Sequence, residues 1–160
     1  MKEISLTQNK VALVDDEDFE RLNQFKWRAQ WGGCNWYAVR TSTVEGKKFA
    51  ILMHREIMNA SKGIQGDHRN GNGLDNQKHN LRPATHAQNG YNRKLPQKNN
   101  KLGIKGVCWH KRAKKFNAQI KVDGKKFHLG LFNVLGDADS AYRIAEEKYF
   151  GEFTRKECLI

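Results

Sequence analysis

The sequence predicts a fold of the α+β class: a region rich in short strands, then a polar segment, then a three-stranded antiparallel sheet with one helix. Short apolar runs separated by glycines occupy the first 53 residues, as is typical of strands joined by turns. Between residues 104 and 155, three further short runs precede an apolar repeat of helical period. Three strands with one helix across a face make a compact small unit.

The N-terminal region, residues 1–53, is expected to be rich in β-strands. Apolar residues cluster around Val11 and Leu13, at residues 36–39 and at residues 49–53. Residues 18–25 are predicted to form a short helix, because Phe19, Leu22 and Phe25 recur at helical spacing. This region therefore leads into the polar segment as a small sheet with one helix.

The polar segment, residues 54–94, is rich in His, Asn and Gly and poor in large apolar side chains. Such a segment buries little area, so we expect a bound metal or phosphate to order it. Residues 85–94 are predicted to form a short helix with His86 and Asn89 on one face. Residues 95–103 are expected to be a polar linker.

The C-terminal region, residues 104–155, gives the clearest pattern. Strands are predicted at residues 107–111, 116–122 and 125–131, and the Asp-Gly pair between the last two is a strong hairpin signal. An amphipathic helix is predicted from apolar residues at i, i+3, i+4, i+7 and i+11: Ala138, Ala141, Tyr142, Ala145 and Tyr149. Asp137 is its expected N-cap and Gly151 its expected C′ residue.

The charge distribution indicates a polyanionic partner. The chain has 160 residues and a formal net charge of +12. Residues 93–128 contain 12 Lys or Arg and one acid, so this stretch alone carries +11. Aromatic and aliphatic residues alternate with these lysines, which favours a folded basic surface over a disordered tail.

The three cysteines lack C-x-x-C spacing, which argues against a zinc knuckle or a disulfide framework and favours a reducing compartment. The chain also lacks an apolar signal peptide and any stretch of membrane-spanning length. We therefore expect a cytoplasmic protein, in a bacterial or phage-infected host cell, with no membrane partner.

Adjacent Asp67 and His68 suggest phosphodiester hydrolysis. A histidine can take the proton of an attacking water near neutral pH. Carboxylate and amide oxygens, here those of Asp67 and Asn89, suit Mg²⁺ or Mn²⁺. Because neighbouring side chains of a strand face opposite sides, a strand end or bend must bring Asp67 and His68 to one site.

At these positions the chain resembles the HNH homing endonucleases, which have a ββα-metal fold. The matching residues are His54-Arg55, Asp67-His68, Asn80-Leu81-Arg82 and Asn89, with spacings of 80 − 68 = 12 and 89 − 80 = 9. The resemblance implies that Asp67 and Asn89 bind the metal, that His68 is the general base, and that Asn80 braces the loop and orients His68. His86 is an alternative to Asn89. The nuclease domain would span 1–94, with the motif at 54–94.

Residues 104–155 resemble the AP2 domain, on Lys105-Gly106-Val107 and on residues 116–121, 126–132 and 139–145. That family lays a three-stranded sheet in the DNA major groove, a geometry that physically suits a twisted β-ribbon. The residues then expected to face DNA are Lys105, His110, Gln119, Lys121, Lys126 and His128, and Arg55 and Arg93 are further predicted contacts. Cys108 and His128 replace Arg or Trp of plant members, so base preference is not transferable.

Together these features predict a site-specific, metal-dependent DNA endonuclease of homing type from a phage or mobile element. The expected cofactor is Mg²⁺ or Mn²⁺, with no small-molecule cofactor. The expected partner is double-stranded DNA, bound by a monomer or homodimer and cut as a nick or a double-strand break. The alternative is a sequence-specific DNA-binding regulator whose HNH segment is inactive. An RNA-binding protein is less favoured, since aromatic platforms for single strands are not evident in the sequence.

Overall fold

A computed structural model describes residues 1–61, 63–93 and 100–154 of the chain. It has several small antiparallel sheets and four α-helices, which confirms the α+β class. The chain divides into two compact units. Unit 1 covers Met1–Asn89, and unit 2 covers Gly90–Lys156.

Unit 1 begins with two small sheets and two helices. The sheets are the hairpin β1–β2 and the three-stranded sheet β3–β4–β5, both antiparallel. The elements are β1 (Lys2–Ser5), β2 (Val11–Val14), α1 (Asp16–Asn23), β3 (Arg28–Trp31), β4 (Trp36–Val44), β5 (Lys47–Leu52) and α2 (Met53–Ile57).

The core of unit 1 lies among these elements. Its buried apolar side chains come from both sheets, both helices and the segment just before β3: Ile4, Ala12, Val14, Leu22, Trp27, Ala38 and Met53. The Trp27 indole N–H donates to the Leu22 carbonyl over 2.8 Å, so the one polar atom of that ring is satisfied where burial would otherwise be costly.

The rest of unit 1 is a hairpin followed by a helix. Strands β6 (Gln65–His68) and β7 (Leu81–Ala84) pair antiparallel, with Asp67 opposite Arg82 and His68 opposite Leu81. Helix α3 (His86–Tyr91) follows β7 directly. The boundary between the two units falls within this helix.

Unit 2 is an antiparallel sheet in the order β10–β9–β8 with helix α4 packed against it. The elements are β8 (Val107–His110), β9 (Lys115–Val122), β10 (Lys125–Phe132) and α4 (Leu135–Phe150). The turn residues Asp123 and Gly124 both have positive φ, at 47° and 84°, as a two-residue hairpin requires. The predicted hairpin and helix are confirmed.

Three short elements were not predicted, because little in their sequences marks them. Strands β1 and β3 each bury one side chain, Ile4 and Ala29, so neither gives a visible alternation. Helix α2 has only five residues. The predicted helix at residues 18–25 is α1, displaced two residues toward the N-terminus.

The predicted N-cap of α4 was wrong. The helix begins at Leu135, with Val134 as its N-cap, so Asp137 lies inside the first turn. A carboxylate there still interacts favourably with the helix dipole. At the other end, the cap is Gly151, with φ of 51°, as predicted.

Residues 95–99 of the predicted linker lie outside the described residues. At its described end, the Asn100 amide donates to the Val107 carbonyl over 3.1 Å, and its oxygen accepts from the Leu102 N–H at 3.0 Å. Among the described residues, no helix has both the length and the apolar character to cross a bilayer.

Candidate functional site

Strand β6 presents two different faces. A side chain added at Gly66 would lie 2.6 Å from the His54 ring, so the Gly66 and His68 face packs against α2. Side chains alternate along a strand, and the Asn89 amide donates to Gln65 over 2.8 Å, so the Gln65 and Asp67 face lies toward α3. In this regular register, the predicted base and metal ligand occupy opposite faces at the end of one strand.

Asp67 forms a buried ion pair with its cross-strand partner Arg82. Both side chains are 4% exposed. The Arg82 Nε and Nη2 atoms lie 2.7 and 2.6 Å from the Asp67 Oδ2 atom. Two charge-assisted contacts to one oxygen hold the carboxylate firmly in place. The sequence resemblance included Arg82 but gave it no role.

His68 is nearly fully buried, at 5% exposure, and its ring is oriented by Asn76. His68 Nε2 lies 3.3 Å from Asn76 Oδ1. The Asn76 Nδ2 group donates to the Leu74 carbonyl at 3.2 Å, so the amide oxygen faces the imidazole. Because that oxygen only accepts, it favours the tautomer with the hydrogen on Nε2. Burial lowers the pKa of His68, while Asn76 and two nearby carboxylates oppose the shift.

A second imidazole lies against the first. The His54 and His68 rings meet edge to face with centroids 5.0 Å apart, and the Tyr37 ring lies 6.1 Å from His68. Burial, with smaller contributions from His68 and Arg55, lowers the pKa of His54 to about 3. Both imidazoles are therefore neutral at pH 7, and His68 can accept a proton there.

The loop between β6 and β7, residues 69–80, is held together by its own polar side chains. The Asn80 side chain accepts from the Asn70 N–H at 3.0 Å and donates to the Asp75 carbonyl at 2.8 Å. The Asn70 amide also donates to the Asp75 carboxylate at 2.7 Å. Asn80 thus braces the loop, whereas the hydrogen bond to the His68 ring comes from Asn76, which the sequence analysis did not single out.

The loop is also anchored on the N-terminal region. The Leu13 N–H donates to the Leu74 carbonyl over 2.9 Å, and the Asn76 N–H donates to the Leu13 carbonyl over 2.8 Å. The Asp15 carboxylate accepts from the Lys78 N–H at 2.7 Å. These contacts order a polar segment that has little core of its own. No spacing pattern within the loop could have revealed them.

The two alternative metal ligands on α3, His86 and Asn89, both contact Gln65. His86 Nδ1 lies 3.2 Å from Gln65 Nε2, on an exposed ring, and Asn89 is half-buried. A capping box begins this helix: the Thr85 hydroxyl accepts from the Gln88 N–H at 3.2 Å, and the Gln88 side chain accepts from the Thr85 N–H at 2.8 Å.

The donor chemistry on this face fits a hard divalent cation. Asp67 supplies a carboxylate and Asn89 an amide oxygen, with the His86 imidazole nearby, and oxygen donors of this kind suit Mg²⁺ or Mn²⁺. Arg82 already contacts one oxygen of the carboxylate. A cation would therefore share Asp67 with that guanidinium.

A separate acidic group does not qualify as a metal site. The ligand atoms of Asp15, Glu17 and Asp18 lie within 4.8 Å of one another. However, the Lys78 ammonium lies 2.6 Å from Glu17 and 3.4 Å from Asp18. The negative charge of the group is already partnered within the chain.

In unit 2, one face of the sheet is covered by α4 and the other is open and basic. Ala118 and Ile120 are buried beneath α4, so the residues alternating with them face away. The strand register extends that open face across all three strands, and besides Leu131 it consists of Cys108, His110, Lys115, Asn117, Gln119, Lys121, Lys126 and His128. No carboxylate occurs anywhere in β8, β9 or β10. We call these eight residues the open sheet face.

Lys105, which was expected on that face, lies elsewhere. Its ammonium donates to the Glu146 carboxylate of α4 and to the Tyr91 carbonyl. Of the two predicted arginines, Arg55 is half-buried and lies 3.4 Å from each of the Ala60 and Ser61 carbonyls. Arg93 is exposed just after α3.

No protein-family model matches the sequence, and no solved structure matches it. The chain is similar to Protein 3.8 of Escherichia phage T7. The two are 33% identical over 94 residues, which make up 59% of this chain and 76% of the phage protein. At this identity and coverage, the chain belongs to the family of phage T7 Protein 3.8.

Proposed function

We propose that the chain is a metal-dependent DNA endonuclease of the HNH type, in which unit 1 cleaves and the open sheet face of unit 2 binds DNA. The observation that carries the proposal is the hairpin β6–β7 followed by α3, with Asp67 and His68 ending its first strand. That order of elements and residues supports the ββα-metal arrangement which the sequence resemblance implies.

His68 supplies the base in this proposal. The contact of its Nε2 atom with Asn76 orients the ring, and the neutral imidazole would receive the proton of the attacking water. Its lowered pKa keeps the ring neutral and therefore able to accept a proton at neutral pH. His68 is the last residue of β6, and the proposal requires a phosphodiester at this strand end to meet both His68 and Asp67, which face opposite sides of the strand.

Asp67 and Asn89 would hold a Mg²⁺ or Mn²⁺ ion, with His86 as the alternative to Asn89. When bound, such an ion stabilises the charge that develops on the phosphoryl and leaving oxygens. Arg82, which contacts Asp67, positions the carboxylate. Asn80 and Asn76 hold the loop and the imidazole ring, respectively.

The open sheet face supports double-stranded DNA as the partner. Lys121 and Lys126 are directly paired across β9 and β10, and His128 is paired with Gln119. None of the open-face lysines forms an ion pair with another described residue. Unpaired cations on a β-surface suit phosphate contacts, and Gln119 can reach a base edge.

A second candidate function is a DNA-binding regulator without cleavage. It is favoured by the burial of Asp67 and His68 and by their engagement with Arg82 and Asn76. Unit 2 would act in the same way in both cases. The two functions differ in whether bound DNA is cut.

Cleavage of supercoiled plasmid separates these functions. At low salt, where non-specific binding is populated, we expect nicked circles with Mg²⁺ or Mn²⁺ and none with chelator. The nick should be sealed by DNA ligase, since the family resemblance implies 5′-phosphate and 3′-hydroxyl ends. Binding without any metal-dependent nick would transfer the assignment to the regulator.

A further inference from the structure

Two tryptophans, the exposed Trp31 and the half-buried Trp36, flank the turn between β3 and β4. The Trp31 side chain is 53% exposed, although burial of a large aromatic ring is strongly favourable. Its ring lies 5.3 Å from that of Trp36 at an angle of 57°. The Lys10 ammonium lies over Trp36, 4.5 Å from the ring centroid, and a cation in this position holds the ring in place.

The same turn is attached to the loop that follows His68. The Asn35 amide donates to the Gly71 carbonyl over 2.6 Å. A side chain added at Gly73 would lie 2.4 Å from the Trp36 carbonyl oxygen, so the loop approaches the turn as closely as backbone allows. The backbone of this turn therefore contacts the loop within unit 1, whereas alternation along β4 places the Trp36 ring, and Trp31 paired with it, on the face opposite Tyr37, whose ring lies near His68.

The charge around the pair suits a polyanion. Residues 28–44 contain no acid, Lys10 lies on Trp36, and Arg69 is exposed at the start of the same loop. An exposed indole with a neighbouring cation is the combination that proteins use to stack nucleobases along a charged strand. The faces of bases within a duplex are covered by their neighbours, so only an unstacked base could use Trp31.

We propose that Trp31, supported by Trp36 and Lys10, is a stacking platform for an unpaired base of the DNA that unit 1 binds. This inference rests on the proposed function in taking DNA as the partner of unit 1. It adds a substrate class: single-stranded, gapped or locally opened DNA. The platform was not apparent from the sequence, because Trp31 and Trp36 meet only through the pairing of β3 with β4.

Binding of labelled oligo(dT) of about 12 nucleotides, a length within the usual site sizes, tests the platform with the full chain. Chelator is present throughout, so cleavage plays no part. Because one stacked base would be lost, Trp31→Ala should weaken binding by about tenfold. Trp31→Phe should retain most of the affinity. Trp109→Ala is the matched control, because Trp109 is 47% exposed in unit 2 and pairs with Phe116.

Photocrosslinking with a 5-iodouracil oligonucleotide locates the contact. The platform predicts a crosslink in the peptide that contains Trp31, and a smaller effect of Trp31→Ala on a duplex of the same sequence. Wild-type affinity of Trp31→Ala, an equal loss in Trp109→Ala, or an equal loss on duplex would overturn the proposal. These binding and crosslinking measurements need no cleavage, so they would stay the same if the protein were not a nuclease. If the protein cleaves DNA but Trp31→Ala binds oligo(dT) as the wild type does, only the platform is refuted.

Discussion

The polar loop of unit 1 and the open sheet face of unit 2 are both hydrophilic, but the loop and its hairpin bury their polar groups whereas the sheet exposes them. In the loop and its hairpin, Asp67, His68 and Asn80 are buried and hydrogen-bonded to neighbours. On the sheet, Lys121 and Lys126 are exposed and face solvent without a carboxylate on any of the three strands.

This difference separates two kinds of chemistry. Buried, oriented groups are costly to maintain and suit reactions that need a defined geometry. Exposed, like-charged groups repel one another and are stabilised when a polyanion binds. In the proposed function, cleavage therefore belongs to unit 1 and affinity to unit 2, and each of the following changes tests one side of this proposal.

Removal of Arg82 should have the largest effect on stability. Arg82→Gln leaves the Asp67 carboxylate buried without its cation, which costs about 3–5 kcal/mol in comparable pairs. The control is Arg143→Gln, whose partner Asp139 lies one turn away on the exposed side of α4, where a pair contributes about 0–1 kcal/mol. Urea denaturation of both variants measures the difference. Equal, small losses would show that the buried pair does not organise the site.

Acid should destabilise the protein through the two buried imidazoles. The pKa of His54 is about 3 when folded and about 6.5 when unfolded, so the unfolded chain binds more protons below pH 6.5. Stability is therefore lost as the pH falls from 6.5 toward 3, by about 2 kcal/mol for His54 between pH 6.5 and 5. His68 acts in the same direction.

Denaturation at pH 7 and pH 5 measures this loss. In His54→Phe the dependence on pH should be smaller, and in the control His79→Phe, which changes an exposed ring, it should persist. A dependence that is unaffected by His54→Phe would place the titrating groups elsewhere.

Neutralising the sheet should weaken DNA binding by a smaller amount. Lys121→Ala and Lys126→Ala should each lower the affinity several-fold, by about 1 kcal/mol, and reduce the salt slope by about 1. Lys148→Ala, an exposed lysine on α4, should leave both unchanged. Fluorescence anisotropy at several salt concentrations gives the slopes. If Lys148→Ala had the same effect as the sheet variants, DNA would not be bound by the open sheet face.

The helix cap should contribute least. Thr85→Ala removes the hydroxyl that accepts from the Gln88 N–H and should cost about 1 kcal/mol. Thr43→Ala, at an exposed position of β4, is the control. Hydrogen exchange of the α3 amides would locate the loss, and an unchanged α3 would show that the helix does not depend on its cap.

Patterns local in the chain were sufficient for part of this structure. Alternating apolar residues and the Asp123-Gly124 turn predicted the sheet of unit 2, and apolar residues at helical spacing predicted α4. Each of these patterns involves residues that lie close together in the chain. Their spacing in the sequence also predicted that His86 and Asn89 lie on one short helix. These predictions concern neighbours in sequence.

The remaining features depend on contacts between distant residues. Asn76 meets His68 only because the Leu13 backbone holds the loop, and His54 meets His68 only because Gly66 leaves room for its ring. Likewise, Lys105 donates to Glu146 on α4, so its position just before β8 in the sequence wrongly suggested that it faces DNA with the sheet. Partners of this kind leave no periodic signal in one sequence.

The most direct test of the central claim is plasmid nicking by wild-type protein, His68→Ala and His79→Ala at low salt with Mg²⁺ or Mn²⁺. His79 lies in the same loop but is exposed, so it controls for loss of a histidine as such. Loss of a general base lowers the rate about 10²–10⁴-fold. We expect that loss for His68→Ala alone, with wild-type rates for His79→Ala. Equal rates for the two variants, or wild-type protein that binds but leaves even source-genome DNA intact, would contradict it.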